Sequence, residues 1–331
     1  MKIKSLVLCL ISLFVLSCGS SNSETDDSGD SGDPADSDYR AAMREFVQDI
    51  SAYAKEQDAD FAVIPQNGHA LLTEDGESDG TVDATYVAAI DGVGREDLFY
   101  GYDADNEATP ASESQAMVEF MDVAVDNDLV VLATDYCSDE ANMDDAYNQS
   151  LTHGYLSFAA DSRVLDDIPA YPAAPRDENA DDVLSLSDAQ NYLINPEAFG
   201  DKQTFLDTLA DTNFDVIIMD AFYEDALYTA AEVTALKTKN NTGSRLVIAY
   251  MSIGEAEDYR YYWEADWETS PPDWLDEENP DWAGNYKVRY WDPEWQAIIF
   301  GSDTAYLDKI LAAGFDGVYL DIIDAYEWFE E

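Results

Sequence analysis

A repeated alternation of short apolar runs with helix-like stretches restricts the fold of this chain more than any other feature. The runs are Phe61–Ile64, Tyr86–Ile90, Leu129–Ala133, Tyr155–Phe158, Val216–Met219, Leu246–Tyr250, Lys287–Trp291 and Val318–Leu320. Several are apolar almost without a break, the pattern of parallel strands covered on both faces. Helix signals lie between them. Met43, Phe46, Val47, Ile50 and Tyr53 recur at helical spacing and predict an opening helix over 41–54. Ser112 with Gln115, and Thr229 with Glu232, have the spacing of capping boxes. Asp292-Pro293 reads as a cap followed by Pro at the first helical position, and Gly314 stands where a helix should stop. Alternation repeated eight times predicts an α/β fold, a (β/α)8 TIM-like barrel in a single domain. Segment 165–198, with Pro169, Pro172, Pro175 and Pro196, reads as a long excursion between the fourth and fifth strands. Little chain follows Asp321, so the eighth helix is at best a stub and the opening helix would cover its place.

The runs also tend to finish on an acid. Asp91, Asp135, Asp161, Asp220, Glu255, Asp292 and Asp321 follow the second to eighth runs in turn. In a (β/α)8 barrel all strand C-termini open on one face, where sites of this fold lie. An ionised carboxylate is costly to bury alone. Asp321, closing the buried run Val318–Leu320, is therefore expected to leave the core for a shared acidic cleft. The loops after strands also favour Asp as a helix cap. Asp292, followed by Pro293, reads as a cap, while Asp91 and Asp161 stay open between the two roles. Asp220 ends a strongly apolar run and precedes aromatics. Glu255 follows Ser252 and Gly254, which are small enough for another group to come close to the backbone. Asp220, Glu255 and Asp321 are the catalytic candidates. Asp324 either opens the next loop or holds Tyr326 or Asp321 in place.

Charge narrows the partners. With 71 acidic residues against 16 basic ones, the net charge is −55 and is spread along the chain. A nucleic-acid partner is excluded, because phosphate binding needs a basic face. The acidity has two readings: a halophilic surface adapted to high salt, where screening weakens self-repulsion, or attraction of a cationic substrate. His69 and His153 are the only two histidines, too few for a His-rich zinc site, and no metal or cofactor is expected. Cys137 reads as a small buried residue. All seven Trp lie between Trp263 and Trp328, in stretches such as "YKVRYWDPEW" that include Trp291. Flat aromatic faces suit sugar rings and cations. Carboxylates with aromatics, without glycine-rich phosphate loops, point to glycosidic bond cleavage, which commonly needs one protonated and one ionised carboxyl.

The N-terminal stretch "MKIKSLVLCLISLFVLSCGS" has a short basic start and an apolar run too short to span a bilayer comfortably. It closes on Leu16-Ser17-Cys18-Gly19, which resembles a bacterial lipobox. Residues 1–17 are expected to be a lipoprotein signal peptide, with lipidation at Cys18; the alternative is an ordinary secretory signal cut nearby. Residues 18–38 are Ser, Gly and Asp with no large apolar residue and read as a disordered acidic linker. Residues 39–331 are expected to form the barrel. This organisation implies an extracytoplasmic lipoprotein, held at a membrane of the cell envelope by its N-terminal anchor.

The motifs "FAVIPQNG", "VLATDYCSDE", "FDVIIMDAFY", "VIAYMSIGEAEDYR" and "GFDGVYLDIIDAY" resemble glycoside hydrolase family 114, the endo-α-1,4-polygalactosaminidases, over nearly all of 39–331. The resemblance implies a TIM-like barrel that hydrolyses α-1,4-linked galactosamine polymers with acidic residues and no metal. By motif it carries Asp220 at the fifth run, then Glu257, Asp258 and Arg260 at the sixth, and Asp321, Asp324 and Tyr326 at the eighth. Two positions depart from it. Tyr319 stands where the family has an acid, and Glu255 where it tends to have a small residue. The expected roles are Glu255 as general acid and Asp321 as nucleophile or base, with Asp220 orienting substrate or exchanging roles with one of them. Asp135, Tyr136, Glu257, Asp258, Arg260, Trp291, Asp324 and Tyr326 are expected to bind the substrate, a polysaccharide of cationic amino sugars. The alternatives are a carbohydrate-binding lipoprotein without chemistry and a hydrolase of a neutral or acidic glycan.

Overall fold

Residues 38–330 are described by the structure, a computed structural model. The expected signal segment, Cys18 and all but the last residue of the expected linker lie outside the described residues. Eight parallel strands carry the fold: β1 (Ala62–Pro65), β2 (Gly92–Glu96), β3 (Val130–Tyr136), β4 (Leu156–Ala160), β5 (Tyr192–Ile194), β6 (Val216–Asp220), β7 (Leu246–Ser252) and β8 (Gly317–Asp321). One sheet has the order β1-β8-β7-β6-β5 and another β2-β3-β4. A single parallel bridge, Gln66–Gly94, joins β1 to β2. Among the described residues no ladder joins β4 to β5. They meet there through the rings of Phe158 and Tyr192, 5.8 Å apart. The arrangement is that of a TIM-like α/β fold with one seam left unladdered.

The central strands are buried on both faces. Val318 lies opposite Val63 on one side and Ala249 on the other, and all three are fully enclosed. The helices are α1 (Tyr39–Gln57), α2 (Ala84–Ala89), α3 (Ala111–Asp126), α4 (Glu140–His153), α5 (Lys202–Ala210), α6 (Ala230–Leu236), α7 (Pro293–Ile299), α8 (Tyr306–Ala313) and α9 (Tyr326–Glu330). The Thr229–Glu232 capping box forms at the start of α6, Asp292 caps α7 ahead of Pro293, and Gly314 ends α8 in the left-handed region. Ser112 does not cap: α3 starts at Ala111 behind Pro110, which places Ser112 inside the first turn. The opening helix packs beside α2, α8 and α9 in the layer of helices, the place the eighth helix would take. Its Arg40 pairs with Glu330 of α9 at 3.0 Å, and its Tyr53 hydroxyl donates to Asp308 of α8 at 2.6 Å.

Four readings of the sequence need correction. Tyr86–Ile90 is not a strand. Asp83 accepts hydrogen bonds from the amides of Thr85 and Tyr86 and starts α2 there. The second strand lies just beyond it, in Gly92-Val93-Gly94-Arg95-Glu96, where a β-carbon on Gly94 would sit 2.0 Å from the Tyr319 hydroxyl. The Tyr319 ring fills the interior that a side chain on β2 would otherwise occupy, so β2 carries little apolar signal. The fifth strand is the three-residue β5, inside the presumed excursion 165–198 and flanked by Asn191 and Asn195. The runs counted fifth and sixth are therefore β6 and β7. Lys287–Trp291 lies outside the barrel sheets. Asn285–Val288 pairs antiparallel with Glu255–Glu257 and with Leu275–Glu278, in a small sheet inserted after β7. Trp295 of α7 is fully buried, and its indole N–H donates to the Ile253 carbonyl at 2.9 Å, tying that insertion to the barrel.

Candidate functional site

Asp220, Asp321 and Glu96 are the last residues of β6, β8 and β2, so all three lie at the C-terminal ends of the parallel strands. Glu255 and Glu257 join them from the first strand of the insertion after β7. These acids fall into two electrostatic groups.

The first group is built on Arg260. Its Nη1 donates to both oxygens of Asp220, at 2.9 and 2.7 Å. Its Nε donates to Glu257 Oε2 at 2.5 Å and its Nη2 to Oε1 at 3.3 Å. Glu257 Oε1 also accepts from the Tyr259 hydroxyl at 2.5 Å. A guanidinium fork shared by two carboxylates suits both partners, because Arg stays charged and offers donors in a fixed plane. Burial pushes the Asp220 carboxyl above its ordinary range, and Arg260 pulls it back. The Asp220 side chain is 17% exposed, whereas that of Glu257 is fully enclosed. Of the Arg260 group, Asp220 is thus the carboxylate a ligand can reach.

Among the described residues the second group has no cation paired with it. Asp321 Oδ2 accepts from the Tyr250 hydroxyl on the neighbouring strand. Burial raises its carboxyl to about 6, against the Tyr250 hydrogen bond, with the Glu257 charge adding to the rise. Glu96 accepts from Gln66 Nε2 at 2.6 Å, from Asn67 Nδ2 at 3.3 Å and from the Tyr136 hydroxyl. Burial and the charges of Asp97 and Asp321 push it up to about 8. Burial and the charges of Glu327 and Asp321 push Asp324 up to about 8. Glu255 accepts from Asn279 Nδ2 at 2.6 Å and Asn285 Nδ2 at 3.1 Å; burial raises it to about 7, with Asp321 and Glu257 contributing. Desolvation disfavours the charged carboxylate, and neutral donors offset it less than a guanidinium does.

The backbone around Asp321 is strained. Ile322, which follows it, has φ +58°, a left-handed conformation that costs a β-branched residue about 1–3 kcal/mol. Gly254 makes room for it: a β-carbon there would lie 2.1 Å from the Ile322 carbonyl oxygen. The close backbone approach expected at Gly254 is therefore that of the loop after β8.

The remaining expected residues divide. Tyr136 reaches the cluster through Glu96, and the Arg163 guanidinium lies 4.1 Å over its ring. Asp135 turns to the backbone, accepting from the amides of Phe99 and Tyr100 at 2.6 and 2.9 Å, and so holds the loop after β2. Tyr326 is buried beneath Arg40, 5.2 Å from its ring centroid. Trp291 packs tilted against Tyr39 and edge-on against Phe329, with ring centroids 5.1 and 4.7 Å away, where α1 meets α9. Neither ring joins the acids. Asp258 is half-buried on the insertion, its backbone N–H bonded to Gly284. Asp91 lies between α2 and β2 instead of following a strand, and it accepts from the Val63 amide at 2.8 Å. Asp161 is exposed. Glu96 escaped the sequence reading because its strand did. Its available signal was the charged triplet Arg95-Glu96-Asp97 between Gly94 and the apolar Leu98-Phe99. Among the described residues no group of His, Cys, Asp and Glu is arranged to hold a metal ion.

Comparison with known proteins bears on the second half of this constellation. Residues 188–331 match the model of glycoside-hydrolase family GH114. That range contains Asp220, Glu255, Glu257, Arg260 and Asp321 but not Glu96. An uncharacterised protein of Methanocaldococcus jannaschii is 40% identical over 181 residues, 54% of this chain and 49% of that protein. An uncharacterised protein of Deinococcus radiodurans is 43% identical over 144 residues, 43% of each chain. One of Thermotoga maritima is 50% identical over 84 residues, 25% of each. The chain thus spans about half or less of the length of the curated relatives it matches.

Proposed function

We propose that this chain is a glycoside hydrolase that cleaves an α-1,4-linked amino-sugar polysaccharide with a pair of carboxyl groups. One observation carries the reading. Asp220 and Asp321 end strands of the same sheet, but the Arg260 guanidinium offsets part of the rise that burial causes in the first, while burial raises the second to about 6 with the Tyr250 hydroxyl as its offsetting side-chain donor. Glycosidic cleavage needs such a division. Asp321 gives its proton to the glycosidic oxygen as the bond to the anomeric carbon breaks. Asp220 either attacks that carbon or takes the proton of the attacking water. The environments favour this exchange of the roles first expected from the sequence. Glu255 is fully enclosed, and its two oxygens accept from Asn279 and Asn285, which supports a place behind Asp321. Arg260 and Glu257 hold Asp220 in position.

The match to GH114 supports the hydrolase class, and the acidic surface supports a polymer bearing free amines. The protein acts outside the cytoplasm, tethered through a lipidated Cys18 and the acidic linker. Among the described residues no helix is long and apolar enough to cross a membrane. The test is reducing-end release by residues 39–331 in high salt from a deacetylated α-1,4-galactosamine polymer, beside its acetylated form and the Asp321→Asn variant. Release by the native chain, lost in the variant, is the expected result. Its KM for the deacetylated polymer should rise with salt, as electrostatic capture is screened. Binding without release from either polymer would contradict the hydrolase reading.

A further inference from the structure

Tyr259 and Tyr261 flank Arg260, the residue that ties Asp220 to Glu257. They are 37% and 39% exposed, and no other Phe, Tyr or Trp among the described residues shows as much of itself to solvent. The chain is 12% aromatic, so its rings are otherwise drawn inward. One exposed ring is ordinary on a protein surface. Two rings left open on either side of the guanidinium that pins the reachable carboxylate are placed where a ligand of Asp220 would pass.

The two rings differ in what already occupies them. Tyr261 stacks on Phe222 at 5.4 Å, meets Tyr262 and Tyr306 edge-on, and has the Lys309 ammonium 4.7 Å over its ring. Its hydroxyl donates to the Thr304 carbonyl, on the loop before α8. Tyr259 joins none of these pairs. Its hydroxyl donates to Glu257 Oε1 at 2.5 Å, inside the Arg260 group, and the Arg260 guanidinium lies 5.2 Å from its ring centroid. The tip is thus fixed among charges while the rest of the side chain reaches the surface. The hydroxyl also lies within charge range of both proposed catalytic carboxyls. Burial and the Glu257 charge push it well above its ordinary range, with Asp220 adding to the rise. The Tyr250 hydroxyl, the donor to Asp321, is raised by burial and by Asp321, and it too feels Tyr259.

A ring held at its tip and open on its flank is a rigid plate. Tyr has only two side-chain torsions to lose on binding, and the hydrogen bond to Glu257 fixes them in advance. A pyranose has C–H bonds on one face and hydroxyls around its edge. The face suits an aromatic plate, and the edge suits a carboxylate such as Asp220. A substrate amine over the same ring is disfavoured, because the Arg260 guanidinium already rests against it. We infer that Tyr259 is a specificity-determining platform, which stacks on the apolar face of the pyranose unit bound beside Asp220 and so sets the register of the polymer. The inference rests on the glycosidase reading for the chemistry of its ligand. It adds to that reading a residue that recognises the sugar ring itself, apart from its charge.

The experiment is calorimetric titration with a deacetylated α-1,4-galactosamine tetramer. The proteins are the Asp321→Asn chain and the same chain with Tyr259→Phe or Tyr259→Leu. Phe keeps the ring without the hydroxyl, and Leu keeps apolar bulk without the plane. The position is an exposed turn, so both variants should fold. Stacking predicts that Leu weakens binding about tenfold while Phe stays within about threefold of Tyr. The gap between Phe and Leu should be the same at low and high salt. With Asp321 intact, Tyr259→Leu should raise KM by a similar factor and leave kcat within about threefold. Equal binding by all three proteins, or none, overturns the platform. A Phe variant as weak as Leu also overturns it, because the hydroxyl and its hold on Glu257 would then be what matters. So does a fall in kcat with KM unmoved. Turnover with no Tyr259-dependent binding overturns the platform and leaves the glycosidase reading standing. Tyr259-dependent binding by a native chain that releases no reducing ends does the reverse.

Discussion

Asp220 and Asp321 end strands separated only by β7, yet they live in different media. Asp220 shares a guanidinium with Glu257 and touches solvent. Asp321 meets a phenol, and Glu96 meets amides and a second phenol, with almost no exposure. The difference teaches that an acidic cleft is not one electrostatic object. Where an arginine is built in, its charge offsets part of the rise that burial causes. Where only neutral donors are supplied, desolvation is offset less and the proton stays to about 6 at Asp321 and about 8 at Glu96. A fold that sets both kinds of strand end around one mouth gives its carboxyls different proton affinities, and the proposed acid and base rest on that difference.

The sharpest way to break the comparison is to remove the charged member. Asp220→Asn keeps the shape but leaves neither nucleophile nor base, and kcat should fall roughly 10⁴-fold with the far-ultraviolet circular dichroism spectrum unchanged. Asp321→Asn copies the protonated form without a proton to give, and kcat should fall roughly 10³-fold. A substrate whose leaving group needs no protonation should recover most of that loss in Asp321→Asn but not in Asp220→Asn. Arg260→Gln erases the difference itself. It strands two buried carboxyls without their cation, which should lower stability by about 3 kcal/mol or more in urea unfolding. It should also raise the pH at which Asp220 ionises, shifting the acidic limb of the rate profile upward.

The last effect concerns Glu96 and is read in stability, not in rate. Its carboxyl is raised from an ordinary 4.5 to about 8 in the folded chain. The folded state thus holds that proton more tightly than the unfolded chain does. The stability this contributes is complete below about 4.5 and is lost as pH climbs through about 8. Glu96→Gln removes that contribution, so its melting temperature should decline less than the wild type's between those limits.

The parts of this arrangement that were legible in sequence were those where burial and chemistry agree. β6, β7 and β8 are apolar to their last residues, so Asp220 and Asp321 stood out as acids closing buried runs. β2 was illegible because its interior is filled from across the barrel by Tyr319, which leaves glycine where a strand usually shows Val or Ile. β5 was illegible because three residues between asparagines give no period to read. The Lys287–Trp291 run overlaps only the end of a strand, Asn285–Val288, and sequence does not say that its partner is Glu255–Glu257 instead of a barrel strand. Trp291 was expected among the acids for the same reason. Its aromatic stretch is shared between the insertion and the contact joining α1 to α9, and the ring belongs to the latter.

The central claim is that Asp321 carries the proton and Asp220 the charge. It is tested most directly by the pH dependence of kcat/KM in the wild type and in Glu255→Gln. Asp321 with its carboxyl at about 6 should give a descending limb near that pH, and the limb should persist in Glu255→Gln. A limb nearer 7 that disappears in Glu255→Gln would make Glu255 the acid and contradict the account.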